Sequence, residues 1–190
     1  MKRDPAGNIL RRRSRWAVSA AAVVVAAVLV IVPTLLDESY ADVVDAPPGM
    51  VRLGAEGDYS FTVPRGWEFE ISRSGPPESY TLVRGDLRVT LSVFAYPVRT
   101  GPDAAWAAYE RYLDVVLGHG LLTEREDVAT SAGAEGYSAE YRGQVKSTVY
   151  LFPAADGASA AQAIVLAPRG TDTAPAEELV GSIEYRGGRR

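Results

Sequence analysis

The sequence predicts an α+β domain, an antiparallel β-sheet flanked by helices, preceded by one transmembrane helix. Three observations carry that expectation. Short segments alternating apolar and polar residues at period two lie on both sides of one clear 3.6-period segment. The two helical patterns stand far apart instead of alternating with strands, which is the order of an antiparallel sheet with covering helices and not of a doubly wound parallel sheet. Residues 16–36 hold no charged side chain and only Ser19 and Thr34 as polar ones.

That apolar segment is 21 residues long, or about 31 Å of helix against a hydrocarbon core of roughly 30 Å. Lys2, Arg3, Arg11, Arg12, Arg13 and Arg15 against Asp4 leave residues 1–15 at +5, whereas Asp37, Glu38, Asp42 and Asp45 lie on the far flank. The positive-inside rule then puts residues 1–15 in the cytoplasm as a basic segment, 16–36 across a plasma membrane and the rest outside it. Ser39-Tyr40-Ala41 also fits a signal-peptidase site before Asp42. A retained anchor and release after Ala41 both stand at this point, the length of the apolar run favouring the anchor.

Residues 37–57 are acidic, contain Pro47-Pro48-Gly49 and show no sustained period, so they read as a juxtamembrane linker. The domain is expected over 58–186, with 187–190 a basic tail. Residues 59–63 and 67–71 alternate around Pro64-Arg65-Gly66 and read as a hairpin-like strand pair. Residues 79–83 and 87–95 follow, joined by a Gly85-Asp86 turn. The period then changes: Trp106, Tyr109, Leu113 and Val116 mark one face of a helix, with Thr100-x-x-Asp103 as a capping box, Pro102 in the first turn and Gly118 as a stop. Strand patterns return at 124–130, 135–141, 145–152 and 160–166 as a meander. Residues 173–184 close the domain as a helix, with Pro175 near its start and Leu179, Val180 and Ile183 on one face.

The motif Tyr59-Ser60-Phe61-Thr62-Val63-Pro64-Arg65-Gly66-Trp67, an aromatic strand closed by Pro-x-Gly-Trp, resembles the opening of PsbP-like domains. The family includes extrinsic photosystem subunits, a yeast nuclear-import factor and actinobacterial exported lipoproteins of the LpqN/LpqT type, and this chain is most akin to that exported branch. The resemblance implies an α/β/α sandwich over roughly residues 57–186 and a scaffold that mostly binds other proteins. It supplies no functional residue that can be carried over. With no cysteine the chain cannot be acylated as those lipoproteins are, so segment 16–36 would do the anchoring.

Composition narrows the chemistry. Without cysteine there is no disulfide, thiolate nucleophile or thiolate metal site. Residues 37–190 carry 14 Lys+Arg against 23 Asp+Glu, a net −9 that argues against nucleic acid. Neither G-x-x-x-x-G-K-[ST] nor G-x-G-x-x-G occurs, so no nucleotide is expected. Eighteen arginines against two lysines suggest a GC-rich bacterial genome. The single histidine, His119, sits between Gly118 and Gly120, where it decorates a helix end and interacts with the C-terminal dipole. Glu124, Glu126 and Asp127 form the one dense acidic group; Glu124 and Glu126 would share a face of an extended segment, as a solvated edge or a weak cation site. Tyr137 and Tyr141 share a face of their strand and Tyr150 lies in the next, so an exposed tyrosine ladder for a partner is one use of them, and core packing the other.

The expectation is therefore a single-pass protein of a bacterial cell envelope whose external domain is a non-enzymatic protein-binding or assembly module. It has no catalytic, cofactor or metal residue, and its candidate partner-binding residues are Tyr137, Tyr141, Tyr150 and His119. The alternatives are a cleaved, secreted ligand-carrying domain, or an envelope enzyme or metal-dependent factor using the region from His119 to Asp127.

Overall fold

A computed structural model of the protein describes residues 42–118, 120–143 and 146–187. The segment 16–36 and His119 lie outside these residues, and within them no helix is long and apolar enough to cross a membrane. The elements, in order, are β1 (Val43–Asp45), β2 (Gly49–Leu53), β3 (Tyr59–Val63), β4 (Glu68–Glu70), a 3-10 turn (Ile71–Arg73), β5 (Ser79–Arg84) and β6 (Leu87–Ala95). They continue with α1 (Pro102–Val116), β7 (Leu121–Leu122), β8 (Glu126–Ala129), β9 (Glu135–Arg142), β10 (Lys146–Pro153), β11 (Ser159–Leu166), α2 (Ala174–Gly181) and β12 (Glu184–Tyr185).

Nine strands form one antiparallel sheet in the order β1-β4-β5-β6-β11-β10-β9-β7, with β8 also on β9, and β12-β3-β2 form a second, smaller one. Period-two alternation divides the large sheet into two faces. Leu82, Val89, Leu91, Ala161, Ala163, Val165 and Phe152 point to one side, where Tyr59, Phe61 and Val63 of β3 and Ala176, Leu179 and Val180 of α2 close over them. Ala139, Tyr141, Val149, Leu151, Ala160 and Ile164 point to the other, under Ala105, Trp106, Tyr109 and Leu113 of α1. The class is thus α+β, an antiparallel sheet with a helix on each face.

The β5–β6 hairpin has the expected two-residue turn, pairing Arg84 with Leu87. Gly85 takes φ +58 there, a conformation that costs a residue with a Cβ about 1 kcal/mol or more. β9, β10 and β11 make the expected meander, but β11 then pairs with β6, which stitches the two halves of the chain together at the sheet centre.

Four local expectations are corrected. Residues 37–57 are not linker throughout: β1 pairs with β4, β2 pairs with β3, and Ala46 and Leu53 are buried. Neither Val43-Val44-Asp45 nor Gly49-Met50-Val51-Arg52-Leu53 has the clear apolar–polar alternation of β3, and the domain begins by Asp42 rather than at 58. Strands β3 and β4 do not pair with each other. Gly66, at φ +83, turns the chain out of the small sheet and into the large one, so β3 lies on β2 and β12 whereas β4 lies on β1 and β5. Thr100 does not cap α1: Gly101 is the N-cap, and the Thr100 hydroxyl donates to the Val98 carbonyl at 2.9 Å. The last helix stops at Gly181, because Ile183 is drawn into the core and Glu184 and Tyr185 pair with β3.

Candidate functional site

A recess lies where the β8–β9 hairpin meets the first turn of α1. It is a cleft of about 650 Å³ lined by Pro102 and by residues 127–129, 135–137 and 153–155. Its origin is local. The last rung between β9 and β10 pairs Tyr137 with Leu151, and beyond it Pro153 has no N–H to offer a ladder. The strands therefore part. Gly136 sits at the point of parting, where a Cβ would fall 2.2 Å from the Leu151 carbonyl oxygen, so only glycine admits this approach.

One wall is a fixed aromatic. The Tyr137 ring meets Trp106 edge-on with centroids 5.7 Å apart, and the Arg125 guanidinium lies 4.3 Å from its centroid. Arg125 is itself held by Asp103 of α1 at 2.6 Å, and that carboxylate pushes the guanidinium pKa up. The reach of Arg125 comes from a bulge. β7 pairs Leu122 with Tyr141 and β8 pairs Glu126 with Ser138, so four steps on one strand oppose three on the other.

The outer strand, β8, pairs only with β9 among the described residues. Thr130 N–H donates to the Ala134 carbonyl at 2.8 Å, which fixes the alternation along the hairpin. Val128 and Glu126 turn their backbone groups towards β9, and Asp127 and Ala129 turn theirs outward, to a free edge. On the α2 side of the same strand, a smaller apolar hollow of about 180 Å³ is formed by Val128, Tyr150, Phe152 and Val180, with Glu177 at its rim. Burial, and secondarily the Glu177 charge, pushes the Tyr150 phenol pKa up.

These positions account for the sequence candidates. Tyr137 and Tyr141 do share one face of β9, but they do not form an exposed ladder with Tyr150, which points to the opposite face of the sheet. Tyr141 is buried, and its hydroxyl donates to the Gly118 carbonyl. Tyr137 and Tyr150 are half-buried, one beside each recess. Glu124 lies in the bulge ahead of β8, so it does not extend one strand face with Glu126. Glu126 and Asp127 are exposed on opposite faces of β8, and Asp127 lines the cleft. Among the described residues no group of three or more His, Cys, Asp or Glu side chains is placed to hold a metal ion.

Sequence reasoning missed Glu135, Gly136 and Arg125. The signal for Arg125 was its place as the one base inside Glu124-Arg125-Glu126-Asp127. A buried acid was missed as well. Glu70 is 1% exposed and its two oxygens form ion pairs with Arg73 and Arg88, each at 2.9 Å. Nothing in the local sequence marks it, because Arg88 arrives from β6 by sheet pairing.

No family model and no curated protein matches the chain. Among solved structures, the solution structure of the cyanobacterial PsbP protein CyanoP from Synechocystis sp. PCC 6803 is similar at 13% identity and a TM-score of 0.52, over 74% of this chain and 94% of that one. A crystal structure from Bacteroides thetaiotaomicron VPI-5482 aligns at 15% identity and a TM-score of 0.45 over 74% of this chain, which spans about half (49%) of that protein's length. At such identity the likeness to CyanoP establishes architecture and leaves function to the site itself. The fold of this domain is PsbP-like.

Proposed function

We propose that this protein is a single-pass, membrane-anchored component of a bacterial cell envelope, most akin to the LpqN/LpqT-type branch of exported PsbP-like proteins, and that its external domain is a non-enzymatic protein-binding or assembly module. The observation that carries the binding role is the open cleft running beside an unpaired strand edge, a form suited to a polypeptide partner more than to a small molecule enclosed on all sides. The anchoring rests on the uncharged segment 16–36 and its basic flank. Tagging the C-terminus in the native host, cross-linking intact cells from outside and identifying what remains with the tagged protein tests both parts. A defined protein partner in the membrane fraction supports the reading. A processed form in the medium, free of partners, overturns it in favour of a released ligand carrier.

A second reading, an envelope enzyme, draws on Asp127 and Glu135 lining the same cleft. It requires a turnover that Asp127→Asn abolishes while leaving the thermal midpoint unchanged.

A further inference from the structure

The geometry points to strand β8 as a docking edge for a basic, extended peptide segment of a partner protein, which adds to the sheet as a further antiparallel or parallel strand. The inference rests on the protein-binding reading above and deepens it by naming the site and the chemistry of the partner.

Three features of β8 converge. Its outward edge presents the N–H and C=O groups of Asp127 and Ala129, which pair with no strand among the described residues. A peptide laid along that edge would direct alternate side chains to the two faces of the sheet. Those neighbouring Asp127 and Ala129 would enter the cleft, where Asp127 and Glu135 are acidic. Those neighbouring Val128 would reach the apolar hollow of Val128, Tyr150, Phe152 and Val180.

Charge selects the occupant. Glu124, Glu126, Asp127 and Glu135 stand on or beside this hairpin, and the one base among them, Arg125, is already held by Asp103 at 2.6 Å. An acidic strand edge repels acidic segments and attracts lysine or arginine. The opposite edge of the sheet, β1, is also unpaired among the described residues, but Val43 and Val44 are exposed there with one acid, Asp45. The partner segment is therefore extended and alternates basic with apolar residues, the basic ones facing the α1 side.

The test uses the full chain in zwitterionic nanodiscs and a fluorescent ten-residue peptide alternating lysine with valine, read by anisotropy. Saturable binding is expected, weakened at least tenfold when glutamate replaces every lysine, and at least tenfold when alternate amides of the peptide are N-methylated on its pairing edge. Ala129→Pro removes an outward N–H without touching the β9 ladder, and the paired change Asp127→Lys with Glu135→Lys inverts the cleft charge; each should also cost tenfold or more, with unchanged circular dichroism. The peptide series on the unmodified protein decides the matter even if Ala129→Pro fails to fold. No binding of the lysine peptide, or equal binding of the N-methylated peptide, overturns the inference. Cross-linking the Ala129→Pro protein in cells separates this from the broader reading. A partner captured as well by that variant as by the unmodified protein overturns β8 as the edge used, while leaving the binding module intact.

Discussion

The two faces of the large sheet are closed by different means. One is sealed by a second sheet and α2, and its interior is made of Leu, Val, Ala and Phe with Trp67 and Tyr59 among them. The other lies under a single helix and is built from rings: Phe94, Trp106, Tyr109, Tyr112 and Tyr137, with centroid distances from 4.8 to 6.3 Å. One helix is too narrow to cover nine strands, so the second face keeps polar groups, Gln162 buried beside Tyr112 and Glu70 beside Arg73 and Arg88. The difference teaches where this fold stores stability and where it leaves room for contact. The doubly covered face is a mainly apolar core. On the singly covered one the cleft opens at the first turn of α1.

The largest expected effect sharpens that contrast. Trp67, 1% exposed, is enclosed by residues of both sheets, so Trp67→Ala should cost about 3–5 kcal/mol in urea unfolding, from lost transfer energy and an unfilled cavity. Trp106→Ala, on the core face of a helix that can settle onto the sheet, should fall at the lower end, about 3 kcal/mol. A larger loss at Trp106 than at Trp67 would reverse the ranking of the two faces.

The next effect concerns the buried acid. Glu70→Ala strips two arginines of their shared partner, and each arginine is about a quarter exposed, so water relieves part of the loss. A destabilisation of about 2–3 kcal/mol is expected, below the usual 3–5 for a fully buried pair. A change under half a unit would show the triad to be solvated.

Alkaline pH gives a third probe that samples both faces at once. Burial pushes the phenols of Tyr59, on the doubly covered face, and Tyr109, under α1, above their ordinary value of 10.0. Because the folded values are raised, the stability they represent is whole below an unfolded-state pKa of about 10 and is lost as pH rises from there towards the folded values. The urea midpoint should therefore fall above about pH 10, and phenolate absorbance should show these two ionising only with unfolding. Their ionisation alongside exposed tyrosines in a still-folded protein would contradict the burial described.

The smallest effect is of opposite sign. Gln162 is 1% exposed and its side-chain oxygen has no hydrogen-bond partner among the described residues, while its amide donates to Ser92. Gln162→Leu should be neutral or stabilising by up to about 1 kcal/mol, since it removes an unsatisfied acceptor from a site that can be apolar. A clear loss would mean that the amide holds the β6–β11 centre in register.

Local pattern made much of this legible. The helix over Trp106, Tyr109 and Leu113 and the long strands β6, β9, β10 and β11 show their period plainly, because each buries at least one continuous face. The three-residue strand β1 and the two-residue strands β7 and β12 do not, for a period needs several repeats to be seen. The candidate site was half legible. Asp127, Tyr137 and Tyr150 were singled out by residue type, but their separation onto two recesses follows from pairing registers that no local pattern records.

By itself the sequence determined the α+β class, the acidic balance of residues 37–190 behind a basic stretch and an uncharged apolar one, and the exclusion of thiol chemistry, since these depend on composition and on periods within single elements. Tertiary structure decided the rest. Gly66 sends β3 and β4 to different sheets, β11 pairs with a strand 70 residues earlier, as Ser92 opposite Gln162 shows, and Glu70 finds Arg88 across that assembly. The physical reason is the same each time: a strand fixes which side its residues face, but which strand lies beside it is settled only when the whole chain has buried its apolar surface.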